Sequence, residues 1–221
     1  MKKQMLIGIL SVASAAGLGT FHTPETIVPP AATAAASASV SATIFDSSSG
    51  AFGWPIDDAE GRVTKKPFGL KIEPGLSPVP NDRFAGYHVG VDFETTEAES
   101  DADVPIYAIC DGKLLFKEFA RGYGGLAAQE CVLNETNVTV LYGHLSLSSI
   151  GATAGDALVQ GERIGVLGTG FSAETDGVRK HLHLGVHPGS GIDIRGYVQT
   201  EAETIQWLNA LEYLPTEPVS S

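Results

Sequence analysis

The chain has 221 residues, enough for one ordinary domain of about 100–200 residues plus extensions. Its 26 acidic and 14 basic residues give a formal net charge of −12, and no cluster of Lys and Arg occurs, which argues against a nucleic-acid partner. Hydrophobic residues make up 43% of the chain, enough for a real core, while 26 glycines and 12 prolines indicate many turns and short strands.

The N-terminus has the pattern of an export signal. Lys2 and Lys3 precede the apolar run 5–19, which is too short for a comfortable transmembrane helix, and 29–42 offers several small-residue cleavage sites. Residues 1–20 are therefore predicted to be a signal peptide, or alternatively an uncleaved N-terminal anchor, which would be the only membrane contact. In either case we expect the body of the protein to be exported, as a periplasmic, secreted or cell-wall-associated protein.

The rest of the chain divides into a linker and a folded domain. Residues 21–50 are rich in Ala, Ser and Pro, as flexible linkers are, and aromatic residues return from 52 onwards. We expect the domain over 51–200, with a mostly β fold. Apolar runs bounded by turn residues predict its clearest strands, at 104–110, 113–119, 126–132, 137–147, 163–170 and 181–187.

The two cysteines are candidates for a disulfide. Cysteines of an exported protein usually pair in the oxidising compartment that it reaches. Cys110 and Cys131 lie about equally far from the predicted hairpin connection at 120–125, so cross-strand proximity is plausible. The alternative is two separate buried thiols.

The C-terminal residues 201–221 are predicted to form a short helix and a tail. Within 200–214, apolar Ile205, Leu208 and Leu211 recur at helical spacing, and no other segment has this pattern so clearly.

The heptapeptide HLHLGVH, at 181–187, contains three of the six histidines. Side chains alternate between the faces of a strand, so the leucines and valine should face the core and the histidines the opposite side. His181 and His183 would then lie about 6.6 Å apart along the strand. Two adjacent imidazoles facing a cleft suit metal chemistry; the alternative is a pair of partly exposed surface histidines. His187, about 13 Å beyond His183, is too far for the same metal and is expected at the surface.

Two further pieces of the sequence could join this histidine pair. In GYHVGVDFE, at 86–94, a bend at Gly90 would bring His88 and Asp92 together as two ligands for a divalent ion. His144 follows an apolar β-type run. Each residue also has an ordinary structural interpretation: His88 as a histidine at the edge of the core, Asp92 as a turn residue and His144 as a histidine at a strand end.

Together these pieces predict a catalytic metal site. His88, Asp92 and one of His181 and His183 make a set of two histidines and an aspartate, and three protein ligands with an open position are typical of catalytic zinc. His144 and the other member of the pair would then be available as acid–base or electrophilic groups.

The motifs that carry this site resemble those of the lysostaphin/LytM-type zinc endopeptidases, which cut peptide bonds of bacterial peptidoglycan. The matching words occur in the family order: HVGVD at 88–92, YGHL at 142–145 and HLH at 181–183. The glycine-punctuated run at 155–170 and YAICDGKL at 107–114 are also similar to family segments. The resemblance covers about residues 52–200.

This resemblance implies that His88, Asp92 and His183 bind Zn²⁺ and that His144 and His181 are the catalytic histidines beside it. The implied fold is an antiparallel β-sheet that forms a long groove with the metal on its floor.

Three departures affect the walls of the groove, and in one of them Gly185 stands where the family has an acid after HLH. Segment 171–180 is longer than the family's usual approach to HLH, and the acidic run 94–103 lengthens the chain after Asp92. Such charge runs are usually solvated loops.

The expected function is zinc-dependent hydrolysis of peptidoglycan cross-links or stem peptides through a metal-activated water, by a monomer whose partners are peptidoglycan peptides. One alternative is an inactive domain of the same fold that binds the wall or activates another hydrolase. A zinc-stabilised structural module is a weaker alternative, because such a site would need four protein ligands.

Overall fold

The computed structural model describes residues 52–215, and the predicted signal or anchor, the whole predicted linker and the last six residues lie outside this range. Eleven strands are found within it: β1 (Lys71–Ile72), β2 (Gly86–His88), β3 (Gly90–Glu94), β4 (Pro105–Tyr107), β5 (Gly112–Ala120), β6 (Gly124–Leu133), β7 (Thr136–Gly143), β8 (Ala157–Leu158), β9 (Arg163–Val166), β10 (His181–Pro188) and β11 (Tyr197–Val198). Five short 3-10 helices occupy Glu97–Glu99, Leu147–Ser149, Ala173–Thr175, Glu201–Gln206 and Ala210–Glu212. None of the helices in residues 52–215 is long and apolar enough to cross a bilayer.

A six-stranded antiparallel sheet organises the domain, with strand order β3-β10-β7-β6-β5-β8. Strand β10 lies between β3 and β7. Its Leu182, Leu184 and Val186 are fully buried in the main core, as the alternation of its sequence predicts. The prediction of a mostly β, antiparallel fold is confirmed.

Two smaller sheets flank this one: β1-β2-β11 and β4-β9. The chain leaves the first of them at Val89 and enters the large sheet at Gly90, since β2 ends at His88 and β3 begins one residue later. The Val89 amide donates to the Gly196 carbonyl at 3.0 Å, which anchors the crossing point. The predicted bend between His88 and Asp92 is therefore a change of sheet.

The predicted hairpin and its disulfide are both present. Strands β5 and β6 pair from Gly112 opposite Cys131 to Ala120 opposite Gly124. Cys110 lies just before β5 and is bonded to Cys131, with Cα atoms 6.0 Å apart. Closing a loop of this length constrains the unfolded chain by about 3 kcal/mol.

The C-terminal segment differs from the prediction. The expected regular helix over 200–214 is wrong: two 3-10 helices occupy it and are separated at Trp207. Ile205 is 85% exposed, so the apolar periodicity does not mark a buried helical face. Trp207, Ala210 and Leu214 are the buried residues instead, and the Leu208 amide bonds to Val186 of β10. Docking of Trp207 beside the sheet overrides the local helical pattern.

The acidic run 94–103 is only partly a solvated loop. Glu94 is the last residue of β3, is buried, and forms ion pairs with Lys65 and Arg179. Glu99 pairs with Arg62 at 2.8 Å. The expectation of a solvated loop is therefore wrong at these two positions.

Candidate metal centre

Strand pairing brings the three predicted ligands together. Asp92 and His183 are directly opposite each other in the register of β3 and β10. His88 ends β2 and reaches the same point because the chain turns between the sheets at Val89. All three side chains are buried.

The three ligand atoms form a nearly equilateral triangle. His88 Nε2 lies 3.1 Å from His183 Nδ1 and 3.2 Å from Asp92 Oδ1, and His183 Nδ1 lies 3.1 Å from Asp92 Oδ1. With zinc bonds of about 2.0–2.1 Å, neighbouring ligands of a tetrahedral site lie about 3.3–3.4 Å apart. The triangle is therefore close to the size of one face of a tetrahedral zinc site, and the two-histidine, one-carboxylate donor set suits the same ion.

Two glycines make room for the His183 ring and its neighbour. A Cβ on Gly90 would lie 2.4 Å from Cε1 and Nε2 of His183, far inside contact distance. A Cβ on Gly143, the β7 residue opposite His183, would lie 2.5 Å from the Tyr123 ring. Gly90 is thus needed for space beside a ligand, whereas the sequence suggested only a need for flexibility.

Each ligand has a second contact that holds it in place. An Nδ1–H of His88 donates to the Pro67 carbonyl at 3.2 Å, which leaves the Nε2 lone pair directed at the triangle. The Arg179 guanidinium donates to Asp92 Oδ2 at 2.9 Å, so that Oδ1 is the oxygen left for a metal. The Tyr123 hydroxyl lies 3.5 Å from His183 Nε2, at the far limit of a hydrogen bond.

The two predicted catalytic histidines stand beside the triangle. The rings of His144 and His181 have centroids 4.3 Å apart. His181 Nδ1 bonds to the Arg179 carbonyl at 2.9 Å, and its Nε2 lies 3.2 Å from Asp92 Oδ2. His144 adopts a left-handed backbone with φ of 65°, uncommon for a residue other than glycine, and strain of this kind is often found at active sites. Its Nδ1 is buried and has no hydrogen-bond partner in the structure of 52–215.

The electrostatics of the centre favour metal-binding protonation states. Burial opposes ionisation of Asp92, but the charges of His181 and His88 and hydrogen bonds from His181 and His183 hold the pKa of Asp92 well below its usual range. Burial lowers the pKa of His183 to about 4. Burial, reinforced by the charge of His181, also lowers the pKa of His144 well below its usual value. At neutral pH the centre thus has an ionised carboxylate and neutral imidazoles at His144 and His183, the forms in which these groups bind metal.

Several residues of the site were not predicted from the sequence. Arg179 bridges Asp92 and Glu94, and Tyr123 packs against His144 and His183 with ring centroids 5.9 Å and 5.2 Å away. An arginine just before HLH and a tyrosine enclosed by glycines in RGYGG were the available signals.

A second unpredicted group lies behind His88. The Tyr197 ring is 5.1 Å from the His88 ring and stacks on Phe84, also at 5.1 Å. The Tyr197 hydroxyl accepts from Lys66 at 2.9 Å, and Lys66 forms a buried ion pair with Asp82 at 2.6 Å. These contacts join residues far apart in sequence, which no local pattern indicates.

His187 has a different environment from the other two histidines of its strand. It is half-buried, and its ring packs edge-on against Trp207 with centroids 5.1 Å apart. The structure thus keeps it at the end of the strand and out of the metal set, as predicted, but Trp207 covers part of its ring.

The centre opens into a cleft of about 760 Å³. Its lining includes Asp92, His144, His181 and His183, so both histidine neighbours and two of the three candidate ligands face the same space. The prediction of a groove above the metal set agrees with this arrangement.

The sequence around the metal centre identifies the protein family. Residues 86–195, about half of the chain, match the family model described as peptidase family M23. The chain belongs to peptidase family M23. The matched range contains every predicted ligand and both predicted catalytic histidines, and it confirms the lysostaphin/LytM-type resemblance. No curated protein matches the sequence at a significant level.

Solved structures with similar folds include three from named bacteria. Csd3 from Helicobacter pylori is 25% identical, with a TM-score of 0.42, over 69% of this chain and 36% of that one. The lysostaphin catalytic domain from Staphylococcus simulans is 21% identical, with a TM-score of 0.42, over 67% and 86%. A zinc-containing peptidase from Vibrio cholerae is 22% identical, with a TM-score of 0.41, over 66% and 41%. The M23 chain thus spans about a third of the Csd3 structure, and its family assignment rests on the sequence match.

Proposed function

We propose that this M23 protein is a zinc-dependent endopeptidase that hydrolyses peptide bonds of bacterial peptidoglycan. The observation that carries the proposal is the triangle of His88, Asp92 and His183, with His144 and His181 beside it in one cleft. Three protein ligands suit a catalytic ion, which keeps a coordination position for the reaction. Export of the protein and wall peptides as its partners are part of the same proposal.

His88, Asp92 and His183 would hold the ion through Nε2, Oδ1 and Nδ1. Zinc held there would polarise the scissile carbonyl and lower the pKa of a water, so that hydroxide would be available as the nucleophile near neutral pH. Arg179 keeps the second oxygen of Asp92 engaged and so fixes the carboxylate for this role.

The two further histidines would move the proton and stabilise charge. The low pKa of His144 keeps its imidazole neutral near neutral pH, which is the form that a general base must have. His181 is oriented by its Nδ1 hydrogen bond to the Arg179 carbonyl, and its Nε2 lies 3.2 Å from Oδ2 of the candidate ligand Asp92, so it could act as the second acid–base group. Burial raises the pKa of Tyr123, so its hydroxyl remains a hydrogen-bond donor.

The test is digestion of purified peptidoglycans of several cross-link types, followed by mass spectrometry of the soluble fragments. We expect fragments from at least one wall type, loss of release on chelation, and recovery when zinc is restored. The His144→Ala variant, which we expect to be inactive, provides the matched control for wall shedding and contaminating hydrolases. A zinc-loaded protein that releases no fragment from any wall, yet sediments with it, would instead support the non-catalytic wall-binding alternative.

A further inference from the structure

One basic residue of the cleft, Arg121, has no side-chain partner among residues 52–215. The sequence has 14 Lys and Arg residues, and all of them except Lys2 and Lys3 lie in the described range 52–215. Within that range each of them except Arg121 forms an ion pair or a hydrogen bond through its side chain. Arg121 is exposed and has no side-chain partner among residues 52–215. A chain with net charge −12 has many carboxylates that could have neutralised it.

Arg121 is held at the wall of the metal cleft by its neighbours. It begins the turn between β5 and β6 and is one of the residues that line the cleft. The Gly122 amide donates to Asp176 Oδ2 at 2.8 Å, and Tyr123 packs on the metal-centre histidines. The backbone around Arg121 is therefore fixed to the site, while its guanidinium remains available.

The other basic side chains of the cleft are already neutralised. Lys66 pairs with Asp82, Arg179 with Asp92 and Glu94, and Arg195 with Asp193 and Glu203.

Two more cations of the lining have acidic partners as well. Lys65 pairs with Glu94, and Arg83 pairs with Asp176, which also accepts the hydrogen bond from the Gly122 amide. Arg121 is thus the one side-chain cation of the lining, within 52–215, that is left for a ligand.

The cleft lining also includes an exposed apolar side chain. Phe171, in the segment that lengthens the approach to β10, also lines the cleft and is 78% exposed. Its φ of 58° is a left-handed conformation that is rare for a bulky residue, and its amide is fixed by the Val178 carbonyl at 2.7 Å. An exposed aromatic ring and an unpaired guanidinium in one cleft suit an extended peptide that carries a negative charge.

We propose that Arg121 binds a carboxylate of the peptide substrate, so that the cleft selects stem peptides with free carboxylates over neutral glycine bridges. This inference rests on the proposed peptidoglycan endopeptidase function. The planar guanidinium forms paired hydrogen bonds with a carboxylate that a carboxamide or a glycine backbone cannot match in strength.

The experiment compares matched substrates on the zinc-loaded full chain. The substrates are purified cross-linked stem-peptide dimers with free carboxylates, the same dimers converted to carboxamides, and a pentaglycine peptide capped at both ends. Arg121→Gln is compared with Arg121→Lys and with Arg163→Gln, which removes an exposed arginine outside the cleft and changes the net charge equally. Dissociation constants for the dimers are measured separately in a His144→Ala background, which makes binding observable without turnover.

We expect wild-type kcat/KM to be about 5- to 20-fold higher for the carboxylate dimer than for the carboxamide dimer. Arg121→Gln should remove this preference in both kcat/KM and affinity, Arg121→Lys should keep part of it, and Arg163→Gln should retain it. Three outcomes would overturn the inference while leaving the endopeptidase function intact. Wild type could use both dimers equally or prefer the carboxamide or pentaglycine substrate, or Arg121→Gln could keep the wild-type preference. Failure to cleave any substrate would contradict the proposed function itself and the inference with it.

Discussion

His183 and His187 lie on the same face of the same strand, four residues apart, yet they have different surroundings. His183 stands between Asp92 of β3 and Gly143 of β7, in the part of β10 that is paired on both sides. At His187 only β7 is paired, through Thr139, and Trp207 covers the position that a further β3 residue would have taken. The neighbouring strand, and not the alternation of the histidines, determines which of them can bind a metal.

The comparison extends to the turn at Val89. Strand β3 pairs with β10 only from Glu94 to Gly90, because the chain then crosses to another sheet and delivers His88 beside His183. The crossing at Val89, which ends the pairing of β3 with β10 before His187, also places the third ligand, His88, beside His183. The metal centre and the tryptophan-covered end of β10 therefore both result from the crossing of the chain between two sheets at Val89.

The largest effect should come from removing the histidine at the paired end. His183→Ala leaves His88 and Asp92 as two protein ligands, fewer than the three or four that hold zinc tightly. We expect loss of both bound zinc and fragment release, measured by elemental analysis after dialysis and by the wall-digestion assay. Retention of stoichiometric zinc by His183→Ala would contradict the ligand assignment.

The next largest effect should separate activity from metal binding. His181→Ala and His144→Ala leave the three-ligand triangle in place, so we expect near-stoichiometric zinc with activity lower by about 10²–10⁴-fold. The measurements are again zinc content and rate of fragment release. If His181→Ala lost its zinc while His183→Ala retained it, the roles of the two histidines would have to be exchanged.

A third, smaller effect should follow from altering the space beside His183 without touching a ligand. In Gly90→Ala the new Cβ would lie 2.4 Å from the His183 ring and 3.0 Å from the Leu184 carbonyl, so the ring must shift. Displacing a ligand through its surroundings typically weakens metal affinity by about 10–100-fold.

Zinc affinity by competition with a chelator measures this effect, and Gly151→Ala, which meets no atom within 4 Å, is the matched control. Equal zinc affinities for Gly90→Ala and Gly151→Ala would show that the ring does not depend on this space.

These contrasts also show how much the sequence could predict. The alternation in HLHLGVH correctly placed leucines in the core, and the glycine-rich turn before LAAQECV correctly placed Cys131 near Cys110. Both depend on local periodicity and turn chemistry, which short windows of sequence contain. The family motifs singled out His88, Asp92 and His183, which the fold brings into one triangle.

The remaining features depend on contacts between distant segments. Arg179 reaches Asp92 and Glu94 only because β10 pairs with β3, and Trp207 reaches His187 only because the C-terminal segment docks on the sheet. The helical spacing of Ile205, Leu208 and Leu211 was misleading for the same reason, since the burial of Trp207 and Ala210 decides how that segment folds.

The smallest expected effect belongs to the tryptophan-covered end of β10. His187→Ala removes an edge-on contact with Trp207 but no candidate ligand, so we expect unchanged zinc and activity and a free energy of unfolding lower by about 1 kcal/mol. His187 Nδ1 and Trp207 Nε1 are both buried without hydrogen-bond partners in the described part of the chain. His187→Phe keeps a ring against Trp207 and removes one of these unpaired atoms, so it should preserve or raise stability where His187→Ala lowers it. Denaturant unfolding of the three proteins, with zinc content measured on the same samples, tests the difference. A fall in zinc content for His187→Ala would mean that the two ends of β10 are coupled and that the contrast between His183 and His187 is wrong.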